Sequence, residues 1–438
     1  MPRPSTPRPI WRIVLLVSVW FGSACGPLLP RGEPTVATVP TAQPAPPTPT
    51  AARTAAPTPT RPQDPATATP TTLATEAPTV EPFVMPGGRL LLAVGTLSGE
   101  KYPNTDVDLF YQYRWLDLAT GAASAHPVLI GDYPVEDTLV TIAPDLAHLA
   151  FVRTTWSKID IAGTTQDAPT SHSVYLAGLE GGDMIQAGQP ITQGSVNHVM
   201  GCGDSPAWSG DSRFLAYALN PAWTRRDPEH TLYVYDVATG NLNSVLIRSQ
   251  QNLAAFSLSP DGAQIAVSEI EGTSEVGLNI HLMDADGGND RLLFRGWVSS
   301  NLLWHPDGSR IYFKTDRIDG RTESGLYSID VATGVTTLIT PVTEHAACLG
   351  LAPDASRLTY VDSTWMMVDP EGGVPSSLMG GCDRRTLSAP VWSPDSRHFA
   401  IVADLEPKLY LVDLEGHCQF VDYREDALLP LQPIGWLP

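Results

Sequence analysis

Two groups of side chains in this sequence have types suited to recognition or to acid–base chemistry. In the segment 220–231, Trp223, Arg225, Arg226 and His230 place an aromatic ring beside cations. Aromatic and Arg side chains are the usual anchors of binding sites. A second set, His198, Asp204, Trp297, His345, Arg384 and Arg385, is spread over separate segments. Two histidines brought together would serve as metal ligands or acid–base groups, but no spacing in the sequence unites these. The run Asp284-Ala285-Asp286-Gly287-Gly288-Asn289-Asp290 has the look of a calcium loop. It lacks the Glu that closes such a loop six residues after the Gly, so it reads as a turn. Asn104, Asp106 and Asp108 form a weaker oxygen-rich cluster. The sequence holds no Gly-x-Ser-x-Gly elbow, no His-Glu-x-x-His helix and no phosphate-cradling glycine loop. No catalytic residue, metal or cofactor is therefore assigned.

The elements that must position these residues come from internal repeats. One motif is a large apolar residue, a small residue, Pro, Asp, a small residue and then a β-rich run. It begins at Ile142, Trp208 (with Gly210 in place of Pro), Leu258, Trp304, Leu351 and Trp392, with about 40–66 residues between copies. That is the length range of a four-stranded propeller blade. A second motif, a β-rich segment ending in Asp and a turn closed by Gly, follows each copy. It runs Asp117…Gly121, Asp236…Gly240, Asp284…Gly288, Asp330…Gly334, Asp369…Gly373 and Asp413…Gly416, with Gly178…Gly182 as a variant. That gives seven turns against six complete first motifs. The missing copy is split: Trp436-Leu437-Pro438 ends the chain and Pro86-Gly87-Gly88-Arg89 continues the pattern. The last strand is thus expected to complete the blade that the first ordered residues begin, leaving no open edge.

These motifs resemble the TolB-type, WD-like β-propeller repeats over residues 86–438. The resemblance implies an all-β fold, a single seven-bladed propeller of four-stranded antiparallel blades closed by the C-terminal strand. TolB itself carries an α/β domain before its propeller, where this chain has a Pro-Thr segment, so TolB-like repeats are expected without a TolB role. In this repeat type both tight turns of each blade share one face. The other face gathers the second-to-third-strand loops and the blade-to-blade connections, with long loops at 98–108, 154–173, 220–231 and 316–324. The Trp, Ile and Leu residues opening each repeat should pack between sheets, each contributing roughly 1.5–3 kcal/mol. The recurrent Asp residues read as turn formers. Cys348 and Cys382 lie in equivalent connections of consecutive blades and are the favoured disulfide, with Cys202 and Cys418 leaving other pairings open.

Residues 1–24 combine Arg3, Arg8 and Arg12 with an apolar run from Ile13 to Phe21 and small residues before Cys25. The run is short of the ~20 residues that span a bilayer, so it reads as an export signal. It resembles a bacterial lipoprotein signal, in which the Cys after the cut is lipid-modified. Residues 25–85 are rich in Pro, Thr and Ala and read as a solvated linker, reaching on the order of 100–180 Å at about 3.1 Å per residue. The formal charge of −20 excludes nucleic acid as a partner. Residues 1–25 carry +3 and residues 26–85 carry −1, leaving −22 on residues 86–438. The expected protein is a monomeric propeller anchored to the membrane by lipid only, extracytoplasmic, and secreted if Cys25 is unmodified. It binds an envelope protein, peptide or glycan on its loop-rich face. The alternative is a propeller enzyme, a hydrolase or lyase acting on polysaccharide at the channel mouth. Replacing Cys25 with Ser should release the protein from the membrane fraction; unchanged retention on fractionation would contradict the anchor.

Overall fold

The computed structural model describes residues 83, 85–98, 108–130, 135–161, 164–190, 195–196, 206–220, 230–247, 255–270, 278–298, 300–318, 321–378, 390–403, 408–421, 423 and 428–438. Among them there is no helix. The strands form seven antiparallel sheets, the blades of a β-propeller. Blade 1 joins the termini: Leu428–Leu437, Arg89–Ser98, Asp108–Asp117 and Ala123–Ala125 lie side by side. Blades 2 to 7 follow in chain order, each a simple meander. The fourth strands are the most exposed, as in Ser376–Ser377, and form the rim. In blades 3 and 5 the first strand is broken in two. Gly296–Val298 and Leu303–Trp304, for example, both pair with Arg310–Ile318.

The turn after each first strand is built by its own side chains. At Ser259 the hydroxyl donates to Asp261 (2.6 Å) while accepting the Gln264 N–H (2.9 Å). The same arrangement recurs at Ser209–Asp211 and Ser393–Asp395. Hydrogen bonds from the Ser309 side chain and N–H hold the Asp307 carboxyl down at about 2. The residue after the Asp is left-handed in all six copies: Leu146, Ser212, Gly262, Gly308, Ala355 and Ser396 have φ of 57–75°. A non-glycine residue there costs roughly 1–2 kcal/mol. At Ser212 and Ser396 a bond between blades offsets that cost. Their hydroxyls accept the N–H of Asp145 (2.8 Å) and Asp354 (3.0 Å) from the preceding blade.

Apolar clusters fill the seams between neighbouring blades. Leu91, Trp115, Leu149 and Phe151 join blades 1 and 2, and Val152, Leu176, Leu215 and Tyr217 join blades 2 and 3. One continuous cluster runs through blades 3, 4 and 5. Tyr312, Leu326, Leu358 and Tyr360 link blades 5 and 6, while Trp365, Met367, Phe399 and Ile401 link blades 6 and 7. Of the residues opening the repeats, Leu258, Trp304 and Trp436 are buried, whereas Ile142, Trp208, Leu351 and Trp392 are half-buried. A buried ion pair pins the second blade. The Asp137 carboxylate accepts from Arg153 Nε (2.7 Å), Arg153 Nη2 (2.8 Å) and the Ile130 N–H (2.7 Å).

Two segments expected as long loops are strands instead. Residues 154–173 fall within His148–Ile161 and Thr164–Gly178, a hairpin paired from His148↔Gly178 to Ile161↔Thr164. Thr154, Thr155, Trp156, Ile159 and Ile161 are β-branched or aromatic, and such residues fit a pleated ribbon. Residues 316–318 and 321–324 likewise continue the strands Arg310–Ile318 and Arg321–Asp330. In the turn at Asp284, the residue donating back to the Asp carbonyl is Gly287, not Gly288.

Closure follows the expected split. Leu428–Leu437 pairs with Arg89–Ser98 from Arg89↔Leu437 to Thr96↔Leu428, with Asp108–Asp117 on the other flank. Trp436 packs with Leu90, Leu92 and Leu116 of its own blade and with Val402, Leu409 and Leu411 of blade 7. Its Nε1 donates to the Gly87 carbonyl at 3.2 Å. The backbones come so close that a Cβ on Gly88 would lie 2.0 Å from the Leu437 oxygen. Deleting residues 432–438 should therefore destabilise the whole ring by at least about 3–6 kcal/mol, from loss of Trp436 and Leu437 burial alone. Denaturant melts should show one transition at a lower midpoint; an unshifted midpoint would contradict closure.

Candidate functional site

On the face opposite the tight turns, blade 5 and its connection to blade 6 form a cleft of about 330 Å³. Within Gly296–Val298, strand alternation buries Gly296 and Val298 and leaves Trp297 half-buried at the cleft. The Thr315 hydroxyl, fully buried, lies 2.9 Å from the Trp297 carbonyl and 2.8 Å from the Arg317 carbonyl. Pairing with Arg321–Asp330 shifts register between Thr315 and Arg317, and such irregularities re-aim side chains. The Arg317 guanidinium lies 5.5 Å from the centre of the Trp297 ring. Arg317 has no carboxylate partner among the described residues.

The opposite wall is the connection carrying Glu344 and His345, and two groups fix it. Lys314, only 1% exposed, donates from Nζ to Asp316 (2.7 Å) and to the Glu344 carbonyl (2.9 Å). From blade 6, the Asp362 carboxylate accepts the Thr343 N–H (3.1 Å) and the Thr343 hydroxyl. Asp316 also accepts the Ser324 hydroxyl at 2.8 Å. Thr322 and Ser324 complete the lining. The lining sets Arg317 against Asp316 and Glu344, and the buried Lys314 bonds Asp316 from behind. The Glu344–His345 pair, 3.8 Å apart, is 77% and 82% exposed. It lacks the water-excluded surroundings in which active sites set acids and bases. The arrangement is suited to stacking and hydrogen bonding.

The structure thus brings together Trp297 and His345, two of the expected site residues. His230, expected in a loop, opens the strand His230–Asp236 because it pairs with Ile247 of the neighbouring strand. Trp223, Arg225, Arg226, His198, Asp204, Arg384 and Arg385 lie outside the described residues, as do Asn104 and Asp106. Cys348 and Cys418 each belong to a disulfide; the expected partner of Cys348, Cys382, lies outside the described residues, as do Cys25 and Cys202. The Asp284 segment forms the repeated turn: Gly288 N–H donates to Asp286 and Asn289 Nδ2 to Asp284. Asp413, Glu415 and His417 also converge, but their bonds close a turn of the same kind. The Asp413 carboxylate accepts the N–H groups of Glu415 and His417 and meets His417 Nδ1 at 2.8 Å.

Lys314, Asp316, Arg317, Glu344, Thr322 and Ser324 were not singled out by sequence reasoning. A signal for Lys314 exists: it interrupts the apolar run Ile311-Tyr312-Phe313, with Asp316 two residues on. Lys314→Met removes the cation between a carboxylate and a carbonyl, and breaking such a buried pair is costly. The expected loss is about 3 kcal/mol in denaturant melts, with Lys314→Met/Asp316→Ala losing less than Lys314→Met alone.

The model of the TolB beta propeller domain matches residues 193–419. No curated protein matches the sequence. Among solved structures, an oligogalacturonate lyase in complex with manganese is similar at TM-score 0.51 and 16% identity, over 69% of this chain and 83% of that one. TolB from Acinetobacter baumannii is similar at TM-score 0.42 and 15% identity, over 78% and 82%. An oligogalacturonate lyase from Vibrio parahaemolyticus is similar at 0.49 and 14%, over 74% and 91%. At these identities the likeness is one of fold. The family's repeat covers more than half of the sequence, and by that match the chain belongs to the TolB beta-propeller domain family.

Proposed function

We propose that this chain is a lipid-tethered, extracytoplasmic binding module that takes an envelope protein, peptide or glycan in the Trp297–His345 cleft. The observation that carries this reading is the convergence of Trp297 and Arg317 with Glu344 and His345 from the next connection. An aromatic ring with convergent polar groups in a concave site is the usual form of a recognition pocket. A His beside a carboxylate is the feature that favours the enzyme alternative; Glu344 and His345 are such a pair, 3.8 Å apart and 77% and 82% exposed. The lipoprotein-like signal ending at Cys25 and the Pro-Thr linker support the tether. Disulfide-bonded Cys348 and Cys418 suit an oxidising compartment outside the cytoplasm.

A pull-down from solubilised envelope tests the reading, with protein identified by mass spectrometry and glycan by sugar analysis. The wild-type chain should retain a component that Trp297→Ala/Arg317→Ala loses. Equal recovery by both would overturn the assignment of the cleft.

A further inference from the structure

We infer that the occupant of the cleft is a neutral saccharide, with one ring seated on Trp297; this rests on the reading of the cleft as a recognition site. Charge narrows the choice first. The protein carries −20, and its long-range field repels an anionic ligand. A cationic ligand would be drawn in but finds little to pair with. Asp316 already accepts from Lys314 and Ser324, and the remaining carboxylate, Glu344, shares the cleft with the cationic Arg317. With Asp316 bonded to Lys314, the cleft is left with one group of each sign, Arg317 and Glu344, which suits a ligand without net charge.

Shape and hydrogen-bonding type narrow it further. An indole ring is a flat apolar surface that suits the C–H face of a sugar ring, and Trp297 lines the cleft with Arg317 over one of its faces. Around it stand a forked donor (Arg317), a carboxylate acceptor (Glu344), an imidazole (His345) and the hydroxyl of Thr322. Planar groups with two polar atoms match pairs of adjacent hydroxyls, each of which both donates and accepts. Both walls are held before any ligand arrives: Lys314 and Asp362 fix the Glu344–His345 connection, and Thr315 fixes the backbone at Trp297 and Arg317. Such preorganisation lowers the ordering cost of binding. At about 330 Å³ the cleft is near the lower end of ligand sites, a size for one or two sugar rings.

The test is calorimetric titration of the mature full chain with uncharged oligosaccharides (tetramers of glucose in α-1,4 and β-1,4 linkage and of N-acetylglucosamine). A galacturonate trimer and a glucosamine tetramer provide anionic and cationic counterparts. At least one uncharged sugar should bind, with Kd changing less than about twofold between low and high salt because no charge pairs are formed. Trp297→Ala and Arg317→Met should each weaken it about tenfold or more, while Trp297→Phe, which keeps a stacking ring, retains most of the affinity. Denaturant midpoints equal to wild type show that these variants fold; if Trp297→Ala does not fold, the Phe and Met variants decide. Binding only of a charged sugar, binding of none, or binding indifferent to these variants would overturn the inference. If the pull-down is Trp297-dependent yet captures only protein, the recognition site stands and the saccharide falls. If neither depends on Trp297, both fall.

Discussion

Seven twisted sheets become one ring because the strand Leu428–Leu437 pairs with Arg89–Ser98. Without that ladder blade 1 would lose its first strand, and Arg89–Ser98 would present unpaired N–H and C=O groups as an open edge. The apolar seam between blades 7 and 1 would open with it, since Trp436 contributes to both sides of that cluster. Every other seam depends on the blades being held at a fixed angle to their neighbours. Closure supplies this constraint at one point, and the Pro-Asp turns repeat it locally. The Asp145–Ser212 and Asp354–Ser396 bonds tie successive blades at the same level, on residues held left-handed.

A closed ring divides its two faces by the work they do. The tight-turn face is fixed by repetition: its carboxylates are spent on backbone N–H groups and neighbouring hydroxyls. The other face carries connections with no repeated duty, and there the sequence is free to place Trp297, Arg317, Glu344 and His345. The freedom has limits, because a connection without support would be too mobile to recognise anything. Lys314, buried and bonded to a carboxylate and a carbonyl, supplies that support at the expense of desolvating a charge. A buried charge in this position is easier to understand as fixing a wall than as adding stability, since an apolar residue would serve stability as well.

The ring was legible because its cues are local and repeated. Asp and Gly at fixed offsets mark each turn, and the apolar residue before each Pro-Asp turn marks each first strand. The split repeat at Gly87–Gly88 and Trp436 identifies the closing ladder, at whose end the Leu437 carbonyl leaves no room for a side chain on residue 88. The cleft was legible only in part. Trp297 and His345 stood out as non-repeated residues, yet nothing in their spacing showed that they meet. Their neighbours were hidden for different reasons. Arg317 and Asp316 fall where the strand runs on past its expected end, and Lys314 looks like a misplaced surface residue in a strand pattern. The hairpin at 154–173 is hidden because polar, β-branched sequence between two strands looks like a loop unless its pairing is known.

The position of the closing ladder also decides how the ring answers a mechanical pull. Tension applied through the amino-terminal end enters at Arg89–Ser98, which is an interior strand of blade 1 and not its edge. It is paired on one flank with Leu428–Leu437 and on the other with Asp108–Asp117. Drawing it out along its own axis must shear both ladders together instead of unzipping one bond at a time. A pull at this point is therefore spread into two neighbouring strands at once, with Phe83, just ahead of the strand, packed on the seam between blades 7 and 1.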